Sequence, residues 1–228
     1  MGRVSLAYIS TLYILAATAL TAADKFDAGN EDIAVGAVYE TIAKGDFTIG
    51  SERFDWDHGE RAALAFRTRV GGLKRVETVG GIDLYGDWRQ GDTPKGTLKD
   101  RTFGFDLQCA LALHLAKDPR RAVVDISVAP FLRVGIAYYE LSLDNLKTNS
   151  VRIVDEVAGA RYAMAFGADA RLVIAGRVEA YLGGGFQFWT SGTLTVNGYS
   201  GSQPTSQSLA YSGQEAFVHV GAMIWHAR

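Results

Sequence analysis

The chain has a single cysteine, Cys109, so no disulfide can form within it. Proline is scarce, four in 228 residues, and 23 Lys and Arg are nearly matched by 25 Asp and Glu. The first shortage leaves long strands uninterrupted. The second excludes the basic surplus on which nucleic-acid binding draws, so no nucleic-acid partner is expected. Hydrophobic residues make up 48%, enough for one folded domain. The 26 glycines and 11% aromatics favour many strands and tight turns over packed helices.

One long apolar run stands out. Val4 to Leu20 follows Arg3 and leads to the small residues Thr21, Ala22 and Ala23. This is the layout of a secretory signal peptide. It divides the chain into a leader at 1–23, a short periplasmic segment at 24–32 and a folded domain at 33–228. An anchoring helix is the alternative, but the run is barely long enough to span and lacks a charged stop.

Beyond residue 60, alternation with a period of two recurs in segments longer than the five or so residues usual for a soluble sheet. In 102–116 the apolar positions are Phe103, Phe105, Leu107, Cys109, Leu111, Leu113 and Leu115, opposite Asp106, Gln108 and His114. In 62–70, Leu64 and Phe66 oppose Arg67 and Arg69, and in 76–88, Ile82, Leu84 and Trp88 oppose Asp83 and Asp87. In 122–138, Val124, Ile126, Val128, Leu132, Val134 and Ile136 oppose Asp125 and Arg133, with a bulge or kink expected at Pro130. In 162–174, Phe166 and Leu172 oppose Arg161, Asp169 and Arg171. In 178–196, Val178, Leu182, Phe186, Phe188, Leu194 and Val196 oppose Glu179, and in 215–225, Val218, Val220 and Ile224 alternate with Glu215 and His219.

Connections alternate in length. GGLKR, KDPRR and AGR are short, whereas 90–101, 144–155 and 197–208 read as long loops, the last (NGYSGSQPTSQS) as exposed and mobile. A closed single-chain barrel needs an even number of strands, so an eighth is placed at Ile33 to Ile42, before a long loop at 43–60. A short capped helix there, with the strand at Phe47 to Trp56, is the alternative.

The fold class expected is therefore all-β, an eight-stranded antiparallel up-and-down transmembrane β-barrel with both chain ends at the short-turn side. Its lumen, narrow enough to be filled by side chains, would hold Arg67, Arg69, Asp83, Asp87, Asp106, Asp125, Arg133, Asp169, Arg171, Glu179 and Glu215. Its lipid face would carry Phe103, Phe105, Leu107, Leu111, Leu113, Val124, Ile126, Val128, Leu132, Val134, Ile136, Phe166, Leu172 and Leu182. Aromatic girdles are expected from Trp88, Tyr138, Tyr162, Phe186, Phe188 and Trp225. The competing fold is a soluble exported barrel, in which the apolar face would be the core.

The signal peptide and the eight alternating segments, over residues 33–228, resemble the small outer-membrane barrel proteins of the OmpA/OmpX type. The likeness is one of pattern, without a residue motif. It implies a monomer in the outer membrane of a Gram-negative bacterium, in contact with outer-membrane lipid and lipopolysaccharide and inserted by the barrel assembly machinery. Such proteins usually finish on an aromatic residue; here the end reads Ile224-Trp225-His226-Ala227-Arg228, and Trp225 is the candidate to serve in its place. No peptidoglycan-binding domain is expected after the barrel.

Candidate chemistry is sparse. Glu215 and His219, with Ser191 or Thr193 on the preceding strand, could resemble a nucleophilic set, but i and i+4 on a strand stand ~13 Å apart. The Asp55-Trp56-Asp57-His58-Gly59-Glu60 segment groups possible ligands for a hard cation without the spacing of an EF-hand loop. Gly183-Gly184-Gly185 lacks the Lys-Ser/Thr of a phosphate loop and reads as a strand that bends or makes room for Tyr181. Cys109, on the apolar face, reads as inert. The expectation is a protein without catalytic residues, metal or cofactor, serving envelope structure or surface interaction. A small-solute or ion channel, a soluble ligand-binding barrel and a lipid-modifying enzyme are the alternatives.

Overall fold

A computed structural model describes residues 33–73, 75–93, 96–116, 122–148, 151–175 and 177–226. The signal peptide expected at 1–23 and the segment expected at 24–32 lie outside these. The strands are β1 (Ile33–Ile49), β2 (Glu52–Asp55), β3 (His58–Leu73), β4 (Val76–Thr93), β5 (Gly96–His114), β6 (Val124–Thr148), β7 (Val151–Ile174), β8 (Val178–Ser200) and β9 (Gln203–His226). β1 pairs with both β2 and β3, each strand from β3 onward pairs with the next, all pairs are antiparallel, and β1 pairs with β9 to close the ring. Strand β2 adds no stave. It pairs with β1 in the register that β3 continues after Trp56-Asp57, so β2 and β3 form one interrupted strand and the barrel has eight.

The eighth strand is therefore neither of the two sequence alternatives alone. β1 runs through both Ile33–Ile42 and Phe47–Ile49, across a register shift between Ile42 and Lys44. The other long loops are corrected in the same way. β4 and β5 pair as far as Thr93↔Gly96, β6 and β7 as far as Thr148↔Val151, and β8 and β9 as far as Ser200↔Gln203. Polar composition at 197–208 disguised a hairpin that turns at Gly201, where φ is +62°. Pro130 causes no bulge. Register with β5 is the same above and below it, and only the pairing of residues 129–130 is interrupted, as expected where an N–H is missing.

A strand needs about 9–11 residues to cross the hydrocarbon, and β6 has 25. The surplus lies at one end, and polarity inverts there. On the lower part of β5, Phe103, Phe105, Leu107, Leu111 and Leu113 point outward while Asp106 and His114 are buried inside. Above Phe103 the outward residues are Arg101, Lys99 and Thr97, and Leu98 is fully buried. β6 does the same: Val124 to Tyr138 face out on the even positions, then Glu140, Ser142 and Asp144, while Tyr139, Leu141 and Leu143 turn inward. A lower barrel with a greasy outside and charged inside thus continues into an upper barrel with a polar outside and greasy inside. Only the lower one suits lipid, whereas the upper one has the cross-section of a soluble protein.

Between the two runs an outward ring of Tyr39, Trp88, Phe103, Tyr138, Tyr162 and Phe188, all exposed. These are amphipathic or bulky aromatics at the place where headgroups would lie. Trp225 does not join a girdle at the other end. It is buried in the lumen and its Nε1–H donates to Glu179 at 2.8 Å, because odd positions of β9 face inward. Leu194 and Val196 are likewise corrected from the lipid face to the interior. A register shift at Thr190/Gly192, with Gly192 at φ +72°, moves the inward phase of β8 from odd to even residues.

Candidate functional site

The interior is a column of paired charges beneath an apolar plug. At the short-turn end, where β3 turns into β4, Glu77 reaches Arg69 at 3.3 Å and His114 of β5 at 3.5 Å. Asp125 accepts from His114 Nδ1 at 2.5 Å. Arg69 lies over the Trp225 ring at 4.1 Å, and Arg171 spans Asp169 at 3.0 Å and Glu179 at 3.5 Å. The next layer contains Arg67 with Asp83 at 2.5 Å and Gln108 at 2.8 Å. Arg133 pairs with Glu40 at 2.8 Å, and His219 with Asp169 at 2.7 Å.

Higher again, Arg61 pairs with Asp106, and Arg89 makes a two-pronged contact with Glu215 at 2.9 and 2.8 Å while its third nitrogen reaches Asp87 at 2.7 Å. The top charged layer is Arg161 with Asp100, which also accepts from Tyr211 at 2.9 Å and Thr102 at 3.1 Å. Alternation along antiparallel neighbours aims these groups at one axis. A guanidinium fork that engages a carboxylate with two bonds fixes both partners in that confined space.

Glycine makes room for the column. A Cβ on Gly183 would run into Asp169 Oδ1 and lie 2.6 Å from His219 Nε2. Tyr181 is instead accommodated by Gly221, where a Cβ would collide with its ring. Gly183 is thus required by the Asp169–His219 pair, and Tyr181 depends on the neighbouring strand.

Immediately above Arg161 the lumen becomes apolar. Phe47, Ile49, Phe54, Trp56, Leu98, Tyr139, Leu141, Leu143, Leu146, Ile153, Trp189, Leu194, Val196 and Leu209 form one buried cluster. Arg161 lies 4.1 Å from the Trp189 ring and joins column to plug by a cation–π contact. Fully buried aliphatic and aromatic side chains fill the upper axis, where an aqueous path would have to emerge.

The sequence-derived lumen residues all lie inside, ten of them buried and Arg69 partly exposed near the short-turn mouth. Sequence reasoning left out Glu40, Arg61, Arg89, Asp100 and Arg161, which complete the pairs of Arg133, Asp106, Glu215 and each other. Arg161 was already legible as a polar-face residue of its strand, and Arg61 and Arg89 each continue an alternation by one step beyond the assigned segment. The lipid-face residues are exposed on the outer wall, with Leu132 and Val134 partly covered. Cys109 is exposed on that wall too.

The nucleophilic set is not assembled. His219 bonds to Asp169, Glu215 is held by Arg89, and the Ser191 hydroxyl donates to the Tyr211 carbonyl at 3.0 Å. The Asp55–Glu60 segment does not converge on a cation: Trp56 turns into the plug while His58 and Glu60 stay outside, 3.2 Å apart. Among the described residues no cluster has metal-binding geometry.

No protein-family model and no curated protein matches this chain. Similar solved structures include small outer-membrane β-barrel proteins. Ail, the attachment invasion locus protein of Yersinia pestis, is 9% identical, with 87% of this chain and 99% of that one covered and a TM-score of 0.41. Neisserial surface protein A is 12% identical over 82% and 96%, with a TM-score of 0.40. A major outer membrane protein from Thermus thermophilus is 11% identical over 86% and 99%, with a TM-score of 0.46.

Proposed function

We propose that this chain is a sealed, non-enzymatic barrel of a Gram-negative outer membrane, exported by its N-terminal signal peptide. It holds a rigid β-extension above the lipid for envelope integrity or surface interaction. The single observation that carries the reading is the inversion of polarity along the same strands. Only a lipid layer around the lower wall, ending at the aromatic ring, accounts for Phe103–Leu113 facing out below and Leu98, Leu141 and Leu143 facing in above.

The buried plug supports a structural role over a channel, because the charged column ends against packed Trp56, Trp189 and Leu141. Outer-membrane lipid with its lipopolysaccharide, and the assembly machinery that inserts barrels, are the partners this reading supplies, with the protein as a monomer. The test pairs cell fractionation with planar-bilayer recording. Partition into outer membranes, a band that shifts on boiling, and no conductance are expected. Steady single-channel currents would overturn the sealed reading, and a detergent-free periplasmic protein would overturn the membrane reading.

A further inference from the structure

Among the described residues the wall has one long unpaired stretch. β7 and β8 pair at Arg152↔Tyr199 and Ile153↔Gly198, then not again until Tyr162↔Thr190. Between these points, residues 154–161 and 191–197 face each other without a ladder pair, although all but Val154 and Ser191, which lie at register shifts, remain laddered to their other neighbour, β6 or β9. Alternate N–H and C=O groups of both strands therefore point into a seam. One of them is met across it by a side chain: the Asn197 N–H donates to Asp155 Oδ2 at 2.6 Å.

The seam begins at Tyr162, on the aromatic ring, and extends upward. It thus occupies the layer immediately above the lipid-facing band and opens sideways over the membrane. Beside its upper end are two surface grooves that share Val154. One, about 670 Å³, is lined by Lys99, Ser142, Asp144, Asp155 and Glu156 among others. The second, about 460 Å³, is lined by Asn197, Tyr199, Pro204, Thr205 and Ser206.

We infer that the β7–β8 seam and its two grooves bind the neutral sugar chain of the glycolipid in the surrounding outer leaflet. This rests on the membrane placement proposed above. Four features select that occupant. Seam N–H and C=O groups need partners that both donate and accept, and a hydroxyl does both. Three carboxylates against one lysine in the larger groove disfavour a polyanion, yet carboxylates accept well from sugar hydroxyls. Tyr199, half exposed beside Asn197, offers a flat ring against which a sugar ring can pack. The sideways aspect and continuity with the lipid-facing band place neighbouring lipid heads, rather than an approaching cell, against this wall.

The test is hydrogen exchange of the full-length mature protein in three nanodiscs: phospholipid alone, glycolipid with its sugar chain, and the same glycolipid trimmed to its lipid anchor. The seam-facing amides among 154–161 and 191–197 are expected to exchange about tenfold more slowly in the sugar-bearing discs than in either other set, while those laddered to β6 or β9 are unchanged. Tyr199→Ala, a change on an exposed side chain, should remove most of that slowing. Equal rates in all three discs would overturn the inference, whether uniformly fast or uniformly slow, since uniformly slow amides mean a seam closed by itself. Equal slowing in intact and trimmed glycolipid would also overturn it, pointing to the anchor instead of the sugar. Failure to enter any disc would sink the membrane reading itself, and is told apart by loss of the heat-dependent gel shift.

Discussion

Replacing Arg89 by Met leaves two buried carboxylates without their cation. Arg89 contributes bonds of 2.9 and 2.8 Å to Glu215 and a contact of 2.7 Å to Asp87, and all three side chains are at most 3% exposed. Glu215 would keep only the Gln187 amide at 3.0 Å. Removing one partner of a buried ion pair costs about 3–5 kcal/mol, and with two anions stranded the upper end applies. Against a total stability of roughly 5–15 kcal/mol, that is a large fraction. Glu215→Gln alone keeps the Arg89–Asp87 contact and should cost about 2 kcal/mol, the worth of a hydrogen bond to a charged group. In the double variant the neutral amide at position 215 leaves no unpaired charge there, so the destabilisation should fall short of the sum by about 2 kcal/mol. Urea unfolding in phospholipid vesicles, followed by the gel shift and by tryptophan fluorescence, measures all three. If each single change costs less than about 0.5 kcal/mol and the effects add, the column is flooded with water and the sealed reading is wrong.

The same assay tests other levels of the barrel. Leu107→Arg puts a charge on the lipid face and should cost about 2–4 kcal/mol, whereas Thr195→Arg, outward on the upper barrel, should stay within about 0.5 kcal/mol. Equal costs would deny the boundary between them. Tyr211→Phe removes a donor from fully buried Asp100 and should cost about 1–3 kcal/mol. Gly183→Ala drives a methyl group into the Asp169–His219 pair and should cost about 1–3 kcal/mol. Unchanged stability there would mean the pair sits elsewhere.

The lower barrel was legible in the sequence because its two faces differ in polarity for many consecutive pairs, as in Phe103 to Leu115. The upper barrel was not, for two reasons. Tyr139, Leu141 and Leu143 keep the odd, inward phase of Arg133 while exchanging polar for apolar, so a rule that assigns apolar positions to lipid fails there. That switch at residues 139–140, and its counterpart where Arg101 gives way to Phe103 on β5, was the signal available. The second reason is the bulge at Thr190/Gly192, which shifts the phase of Leu194 and Val196 without any mark beyond one glycine. Partner choice within the column was also beyond periodicity. Alternation tells that Arg133 and Glu215 face inward, but that Glu40 and Arg89 meet them depends on register between strands far apart in sequence.

If lipid ends at the aromatic ring while the strands continue beyond it, each strand must cross from acyl chains into water at that ring. A depth scan along β5 tests this most directly, with a nitroxide or fluorophore placed singly at Lys99, Cys109 and Leu113 in bilayers carrying depth-graded quenchers. Cys109 supplies one site as it stands, and Cys109→Ser frees the background for the others. Labels at 109 and 113 are expected in contact with acyl chains and the label at 99 in water. Acyl-chain contact at 99, or water at 109, would contradict that boundary.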